Sequence, residues 1–236
     1  SDMEHVLVSF GDMTPRSFLP HFVKARPRNV IHPNSIQGNG ILWPLNLRRH
    51  FGGMKDLDES DTVWGLKLDR LVWRGAETGS GQRAKAAEKY YSAIDEGIDI
   101  ALTQIINKEN LELKTFTRPT LSMQEILKSK YLLSMEGNDV SSGLKWMLLS
   151  NSVVIMSNPK YMSWALEDRL LPYVHYIPVL EDLSDLRQKI AWARANDLQC
   201  QRIAKQATQF MHPFLEYAAD SHHLVDSAVK SLLVNA

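Results

Sequence analysis

Residues 130–156 read KYLLSMEGNDVSSGLKWMLLSNSVVIM, and this stretch decides the fold class. Two short apolar runs, residues 130–135 and 152–156, flank a glycine-containing loop and a segment with helical periodicity. In that segment Val140, Leu144, Met147 and Leu148 recur at positions i, i+4, i+7 and i+8, which places them on one face of a helix. A buried strand, a helix and a second buried strand are typical of a βα unit in a parallel sheet.

The same alternation extends over the chain from residue 68 onward, so we expect an α/β fold with a doubly wound parallel sheet. Further strands are predicted at residues 68–73, 98–103 and 174–179, and further helices at residues 82–93, 122–129, 162–170 and 183–211. Before residue 68 the pattern is weaker. One strand is predicted at residues 6–10, and a run rich in proline and glycine follows it.

The overall charge excludes a global attraction to polyanions. The chain has 27 Lys and Arg residues against 27 Asp and Glu residues in 236 residues. A balanced charge gives no field that would draw the protein to nucleic acid or an anionic membrane, so we expect no nucleic-acid partner. The longest apolar runs are about four residues, far below the roughly 18 needed to span a bilayer, so we also expect no membrane span.

Local charge is less even than the total. Residues 13–55 contain seven basic residues and no acidic residue. Two interpretations stay open for this segment: a solvated loop surface, or a surface that meets an anionic ligand.

The cysteine content and the first residues indicate a reducing compartment. The only cysteine, Cys200, cannot form an intramolecular disulfide and lies in a stretch with helical periodicity, where we do not expect a nucleophile. The first residues show no basic segment followed by an apolar one, which is the pattern of a secretion signal. We therefore expect a cytoplasmic protein.

Two loops carry the strongest functional pattern. The first, residues 73–81 (WRGAETGSG), follows a predicted strand and precedes a predicted helix. Its three glycines permit close backbone approach, Thr78 and Ser80 offer hydroxyl groups, and Arg74 offers a guanidinium for phosphate oxygens. The loop lacks the Gly-Lys-Ser/Thr ending of a P-loop. Two interpretations of this loop stay open: it binds phosphate, or it only connects the strand to the helix.

The second loop, residues 135–145, joins the strand at 130–135 to the following helix. Gly137 allows a sharp turn, Asp139 or Ser141 can cap the helix, and Lys145 lies about one turn into it. In a doubly wound sheet ligands bind at the carboxyl ends of the strands, so both loops are candidates for anion binding. A plain strand-to-helix connection stays the alternative for the second loop as well.

Acid–base and metal chemistry are less clearly specified. Asp12 directly follows the first predicted strand and is a candidate general base. The residue pattern by itself favours the alternative, a turn-forming aspartate whose side chain bonds to its own backbone. None of the eight histidines has the spacing of a zinc protease motif, and we expect no metal cofactor.

Several segments together resemble the CAP10/Rumi-like glycosyltransferases, family 90. The similarity covers about the last two thirds of the chain in family order, and the order and spacing of its segments make it specific. The segments are LVWRG (71–75), KYLL (130–133), EGND (136–139) with Ser141-Ser142, SNSVV (150–154), residues 172–179, DLSDL (182–186) and Asn196-Asp197.

This resemblance implies a GT-B architecture, in which two Rossmann-like domains face a cleft. It assigns residues 1–59, completed by a helix at 212–236, to a small acceptor-side domain and residues 60–211 to a domain that binds the nucleotide sugar. The implied reaction is an inverting, metal-independent transfer of xylose or glucose from a UDP-sugar to a hydroxyl group of a glycan. A catalytically degenerate module that binds a nucleotide sugar or a glycan is the alternative.

The resemblance also assigns roles to individual residues. Asp12 corresponds to the catalytic base and Arg74 to a donor-phosphate contact, while Asp99 and Thr103 correspond to a region near the nucleoside. Some members carry an arginine near Gly143, so Lys145 is the candidate replacement for that charge. The full set expected to bind the donor is Arg74, Gly75, Thr78, Asp99, Thr103, Gly137, Asp139, Ser141, Ser142 and Lys145.

Overall fold

The computed structural model describes residues 8–9, 21–28, 40–44, 54, 57 and 61–219. Ten strands lie in this part of the chain: β1 (Val8–Ser9), β2 (His21–Val23), β3 (Ala25–Pro27), β4 (Gly40–Leu42), β5 (Leu68–Ala76), β6 (Ile98–Gln104), β7 (Ser129–Ser134), β8 (Val153–Met156), β9 (Tyr161–Ser163) and β10 (Ile177–Pro178). The α-helices are α1 (Gln82–Tyr90), α2 (Met123–Leu127), α3 (Leu144–Leu149), α4 (Leu186–Ala195) and α5 (Asp197–Ala219). Short 3₁₀ segments occur at Trp64–Leu66, Ala93–Glu96, Leu111–Phe116 and Glu167–Arg169.

The centre of the fold is a parallel five-stranded sheet with the order β6-β5-β7-β8-β10. Side chains alternate between its two faces, as the pleat of a strand requires. Leu71 and Trp73 of β5 join the core that includes residues of α1 and α4. Val72, between them, joins the core that includes residues of α3 and α5. The doubly wound α/β sheet predicted from the sequence is therefore confirmed.

The strand order creates the feature that positions the site. From β5 the chain moves to β6 on one side, and then it returns to β7 on the other side. The connections that follow β5 and β7 therefore diverge and leave a crevice at the carboxyl edge of the sheet, where open α/β sheets bind ligands. These two connections are the loops at residues 73–81 and 135–145.

The described N-terminal segments form a second, smaller parallel sheet with the order β1-β2-β4. They also contact the larger unit, because β3 pairs antiparallel with β9. Met54 and Leu57 belong to the core that contains Val72. The two-domain GT-B arrangement and the boundary at residue 59 stay predictions. Residues 212–219 continue α5 without a break, and residues 220–236 lie outside the described part.

The structure corrects several predicted elements. The helix predicted at residues 162–170 is wrong: the chain there forms β9, which pairs with β3, and then a 3₁₀ turn. The strand predicted at residues 174–179 reduces to β10, because Tyr173 has a positive φ of 58° and bonds back to Tyr176. The helix predicted at 183–211 divides into α4 and α5 at Asn196, and that predicted at 140–150 begins only at Leu144.

Candidate functional site: a cavity at the carboxyl edge of the parallel sheet

The loops after β5 and β7 touch each other through two glycines. A Cβ atom on Gly79 would lie 2.5 Å from the carbonyl oxygen of Gly137, and one on Gly137 would lie 2.6 Å from Oγ1 of Thr78. Gly79 also has a φ of +83°, a conformation that side-chain-bearing residues rarely adopt. Its amide nitrogen donates to Oδ1 of Asn138 at 3.0 Å. Only glycine at both positions allows the two loops to approach this closely.

Arg83, in the first turn of α1, ties the two loops together. Its Nη1 donates to the carbonyl oxygen of Ala76 at 3.2 Å and to Oγ1 of Thr78 at 2.7 Å. Its Nη2 and Nε donate to the carbonyl oxygens of Met135 at 2.8 Å and Glu136 at 3.1 Å. One planar guanidinium thus fixes the separation of the loops, a task that suits its rigid fork of donors.

An open cavity of about 330 Å³ lies where the loops meet. The first turn of α1 borders the cavity and contains no acidic residue. The N-cap residue is Gly81, so no side chain at that position caps the helix. The first N–H groups of a helix lack partners within the helix and favour a bound anion. The lining residues are Gly79, Ser80, Gln82, Glu136, Gly137, Asn138, Lys160 and Tyr161.

Lys160 is the one cation that lines this cavity in the described part of the chain. Its Nζ pairs with Oε1 of Glu181, and Gln82 donates to the carbonyl oxygen of Glu181 at 2.6 Å. Both ends of the Lys160–Glu181 pair are about half exposed, with side-chain exposures of 50% and 56%. Exposed ion pairs contribute little free energy, so Lys160 can exchange its partner for a bound anion at small cost.

Glu136 is the carboxylate of the cavity. Its Oε1 accepts hydrogen bonds from the backbone nitrogens of Lys160 at 3.0 Å and Tyr161 at 3.1 Å. Burial raises the pKa of Glu136 to about 7, against the opposing effect of these two hydrogen bonds. Glu136 also borders a second, smaller cavity of about 10 Å³, which is about the size that one water molecule needs. Ser141 and Glu167 face the same small cavity.

The structure places Arg74 outside the cavity lining and pairs it with Asp99. The Nη2 atom of Arg74 lies 2.9 and 3.0 Å from the two carboxylate oxygens of Asp99. Arg118 donates to Oδ1 of Asp99 at 2.7 Å, and Nη1 of Arg70 lies 4.0 Å from Oδ2. The two predicted donor-binding residues Arg74 and Asp99 therefore come together, but they satisfy each other. Thr103, near the end of β6, is half-buried and also lies outside the cavity lining.

Lys145 likewise has a protein partner. Its Nζ lies 2.8 Å from Oε1 of Glu167, and both side chains are almost fully buried, at 1% and 2% exposure. Ser163 contributes two further hydrogen bonds to Glu167, from its backbone nitrogen and its hydroxyl group. The charge proposed to replace the family arginine is thus neutralised inside the protein.

The other predicted residues divide between the loops. Gly137 lines the cavity, Thr78 supports the loop contact through Arg83, and Ser141 faces the small cavity. Asp139 is buried and pairs with Lys24 at 3.1 Å, which brings the basic N-terminal segment against the second loop. A Cβ atom on Gly75 would collide with the Trp73 ring at 2.6 Å. Among the residues that the structure describes, no side chain forms a hydrogen bond or an ion pair with Ser142.

Two further expectations concern residues away from the cavity. Asp12 lies outside the described residues, so its role as a base stays a prediction. Among the described residues, histidine, cysteine and carboxylate side chains do not gather into a group of three that suits a metal ion. Within the same residues, no helix has both the length and the apolar character that a bilayer crossing requires.

Four site residues were not predicted from the sequence: Arg83, Glu136, Lys160 and Tyr161. Arg83 lies two residues after the glycine-rich loop, at the start of a predicted helix, and this position was the available signal. Tyr161 begins β9, which pairs with β3, and Lys160 directly precedes it. That pairing depends on segments far apart in the chain, so the local pattern could not reveal it.

The parallel five-stranded sheet, with a cavity where its strand order reverses, defines the chain as a Rossmann-like α/β protein. Residues 37–221, well over half of the chain, match the family model described as glycosyl transferase family 90. The chain therefore belongs to glycosyl transferase family 90, the CAP10/Rumi-like glycosyltransferases, as the resemblance predicted.

Named relatives agree with this assignment. The O-glucosyltransferase LpsA of Dichelobacter nodosus is 34% identical over 207 residues, which cover 87% of this chain and 59% of that protein. Protein O-glucosyltransferase 2 of Danio rerio is 31% identical over 189 residues, which cover 80% of this chain and 37% of that protein. The chain thus spans between about a third and three fifths of the length of these two relatives.

Proposed function

We propose that this protein is a glycosyltransferase that moves glucose or xylose from a UDP-sugar to a hydroxyl group of a glycan acceptor. The observation that carries the proposal is the cavity between the β5 and β7 loops at the first turn of α1. Its volume of about 330 Å³ is in the range of small-molecule sites. The names of the relatives, which are O-glucosyltransferases, favour glucose as the sugar.

The diphosphate of the donor would bind at the α1 end of the cavity. The uncapped N–H groups of the first turn and the hydroxyl group of Ser80 supply donors there, and Lys160 supplies a mobile positive charge. Arg74 and Lys145 would act indirectly, because each is committed to a carboxylate. With charge supplied in this way, the proposed reaction needs no metal ion.

The transfer itself would be a single displacement. An acceptor hydroxyl oxygen attacks the anomeric carbon while the bond from that carbon to the phosphate oxygen breaks, and UDP leaves with the electron pair. The proposed base, Asp12, takes the proton of the hydroxyl group. Attack from the face opposite the leaving group inverts the anomeric centre, and donors around the diphosphate stabilise the charge that develops on UDP.

Thermal shift with UDP, GDP and CDP tests nucleotide binding, and UDP release from UDP-glucose and UDP-xylose with EDTA present tests turnover. The Lys160→Met variant should weaken UDP binding about tenfold. The Lys108→Met variant is the matched control, because Lys108 is exposed and lies outside the cavity lining. Asp12→Asn should stop transfer and leave UDP binding intact. Equal UDP affinity in both lysine variants would contradict the placement of the diphosphate.

A catalytically degenerate module that binds a nucleotide sugar or a glycan is the second candidate. The observation that favours it is the pairing of Lys145 with Glu167, which neutralises the charge that the resemblance suggested as a replacement for the arginine of some members. Such a module would bind UDP and leave every UDP-sugar intact in the presence of any acceptor. Sugar transfer by the purified protein would eliminate it.

A further inference from the structure

Glu136 is a carboxylate to which the proposed mechanism gives no role. Its Oε1 is fixed by the backbone nitrogens of Lys160 and Tyr161. None of the described residues donates a hydrogen bond to its other oxygen, Oε2. One half of the carboxylate is therefore held in place, while the other half stays an acceptor in a residue that lines the cavity.

A carboxylate in a site for an anionic donor needs a physical reason, because like charges repel. The anion-favouring part of the cavity is the first turn of α1 with Ser80 and Gln82. Glu136 stands instead at the end of β7, on the opposite loop. The part of a UDP-sugar that a carboxylate can bind favourably is the uncharged sugar, whose hydroxyl groups are hydrogen-bond donors.

We propose that Oε2 of Glu136 accepts a hydrogen bond from one hydroxyl group of the donor sugar. This makes Glu136 a residue that determines donor specificity, and the inference rests on the proposed function. The site should discriminate strongly against a donor sugar that lacks this hydroxyl group, because Oε2 of Glu136 would then have no partner in the complex.

The surroundings of Glu136 predict how this selectivity changes with pH. Burial raises the pKa of Glu136 to about 7, so the ionised carboxylate predominates above that value and the neutral acid below it. An ionised acceptor makes the stronger hydrogen bond, so selectivity for the hydroxyl group should rise between pH 6 and pH 8.5. The charged groups that act on the Glu136 carboxylate are Lys160 and Glu167. Glu167 is itself paired with Lys145, and Arg83 donates to the backbone carbonyl oxygen of Glu136.

The test compares Glu136→Gln with wild type in titrations of UDP, UDP-glucose, UDP-xylose and UDP-glucose analogues that lack single hydroxyl groups. Glutamine keeps an oxygen for the Lys160 and Tyr161 nitrogens, so the loop contact survives. Glu109→Gln is the control, because Glu109 is exposed and lies outside the cavity lining. Calorimetry measures each affinity and requires no acceptor.

The expected result has two parts. Glu136→Gln weakens UDP-glucose about tenfold, as loss of a charged hydrogen bond implies, and changes UDP affinity less than twofold. Wild type binds one deoxy analogue about tenfold more weakly than UDP-glucose. The variant binds this analogue and UDP-glucose with equal affinity. If the hydroxyl group is the one at C6, UDP-xylose will behave as that analogue, because it lacks the hydroxymethyl group.

Two results would overturn the inference. One is a variant that discriminates among the deoxy analogues as wild type does, and the other is a variant in which UDP and UDP-glucose weaken in parallel. Wild-type protein that binds no UDP would instead refute the proposed function. Should Glu136→Gln fail to fold, wild type alone decides: its discrimination against one analogue must grow from pH 6 to pH 8.5, and a flat profile refutes the role of Glu136.

Discussion

Replacing Arg83 by methionine should loosen both cavity loops at once. Methionine keeps the apolar stem and removes the guanidinium, which makes four hydrogen bonds between 2.7 and 3.2 Å and lies 5.7 Å from the centre of the Trp73 ring. A hydrogen bond to a charged group contributes about 1.5–3 kcal/mol when its partners are fully removed from water. Because Arg83 is only half-buried, water replaces part of this in the variant, and about 1 kcal/mol for each bond is the better scale.

The expected loss is therefore about 3–4 kcal/mol in the free energy of unfolding. Urea denaturation followed by tryptophan fluorescence measures it. UDP affinity should fall as well, because the loops that border the cavity lose their fixed separation. The control is Lys85→Met, two residues further along α1. Because Lys85 is exposed, this substitution should change neither the free energy of unfolding nor the UDP affinity. A loss below about 0.5 kcal/mol with unchanged UDP affinity would refute the role of Arg83 as the clamp.

Four further predictions concern buried groups and the contact between the two loops. Lys145→Met should cost about 3–5 kcal/mol in urea denaturation, because it leaves Glu167 buried without its cation. Burial alone would raise the pKa of Glu167, but Lys145 and Ser163 outweigh this effect and hold that pKa below its usual value. Wild type should therefore lose this stabilisation as pH falls below about 4.5. A Glu167→Gln variant that loses stability equally over that range would contradict the assignment. Gly79→Ala should weaken UDP binding at least tenfold in a titration. Gly65→Ala should have no effect, because a Cβ atom there meets nothing within 4 Å. Equal UDP affinity of the two variants would refute the glycine contact. Cys200, whose burial raises the pKa of its thiol to about 12, should react with a thiol reagent only after unfolding, and rapid labelling of native protein would contradict its placement.

The sheet could be predicted from the sequence because its strands are short apolar runs separated by turn residues, and these signals are local. β5 to β8 appear within a few residues of their predicted positions. β9 could not be predicted in this way, because Tyr161–Ser163 becomes a strand only by pairing with Ala25–Pro27. The intervening sequence gives no indication of that partner, and the residues that follow it carry apolar spacing that also suits a helix.

The location of the site was predictable to the level of two loops, since strand order and glycine content place the loops without side-chain detail. The roles of individual charges were not. Arg74 and Lys145 have the residue types that phosphate binding requires, but their partners Asp99 and Glu167 lie at least twenty residues away in the chain. Whether a cation is available to a ligand depends on such tertiary pairings. The resemblance to a family specifies positions and leaves these local charge balances open.

A crystal structure of the protein with UDP would show directly whether the diphosphate binds at the first turn of α1. We expect diphosphate oxygens within hydrogen-bond distance of the Ser80–Arg83 backbone, with Lys160 turned from Glu181 toward the phosphates. The Arg74–Asp99 pair should stay intact. A diphosphate bound by Arg74 with that pair broken, or nucleotide bound away from the β5 and β7 loops, would refute this placement of UDP.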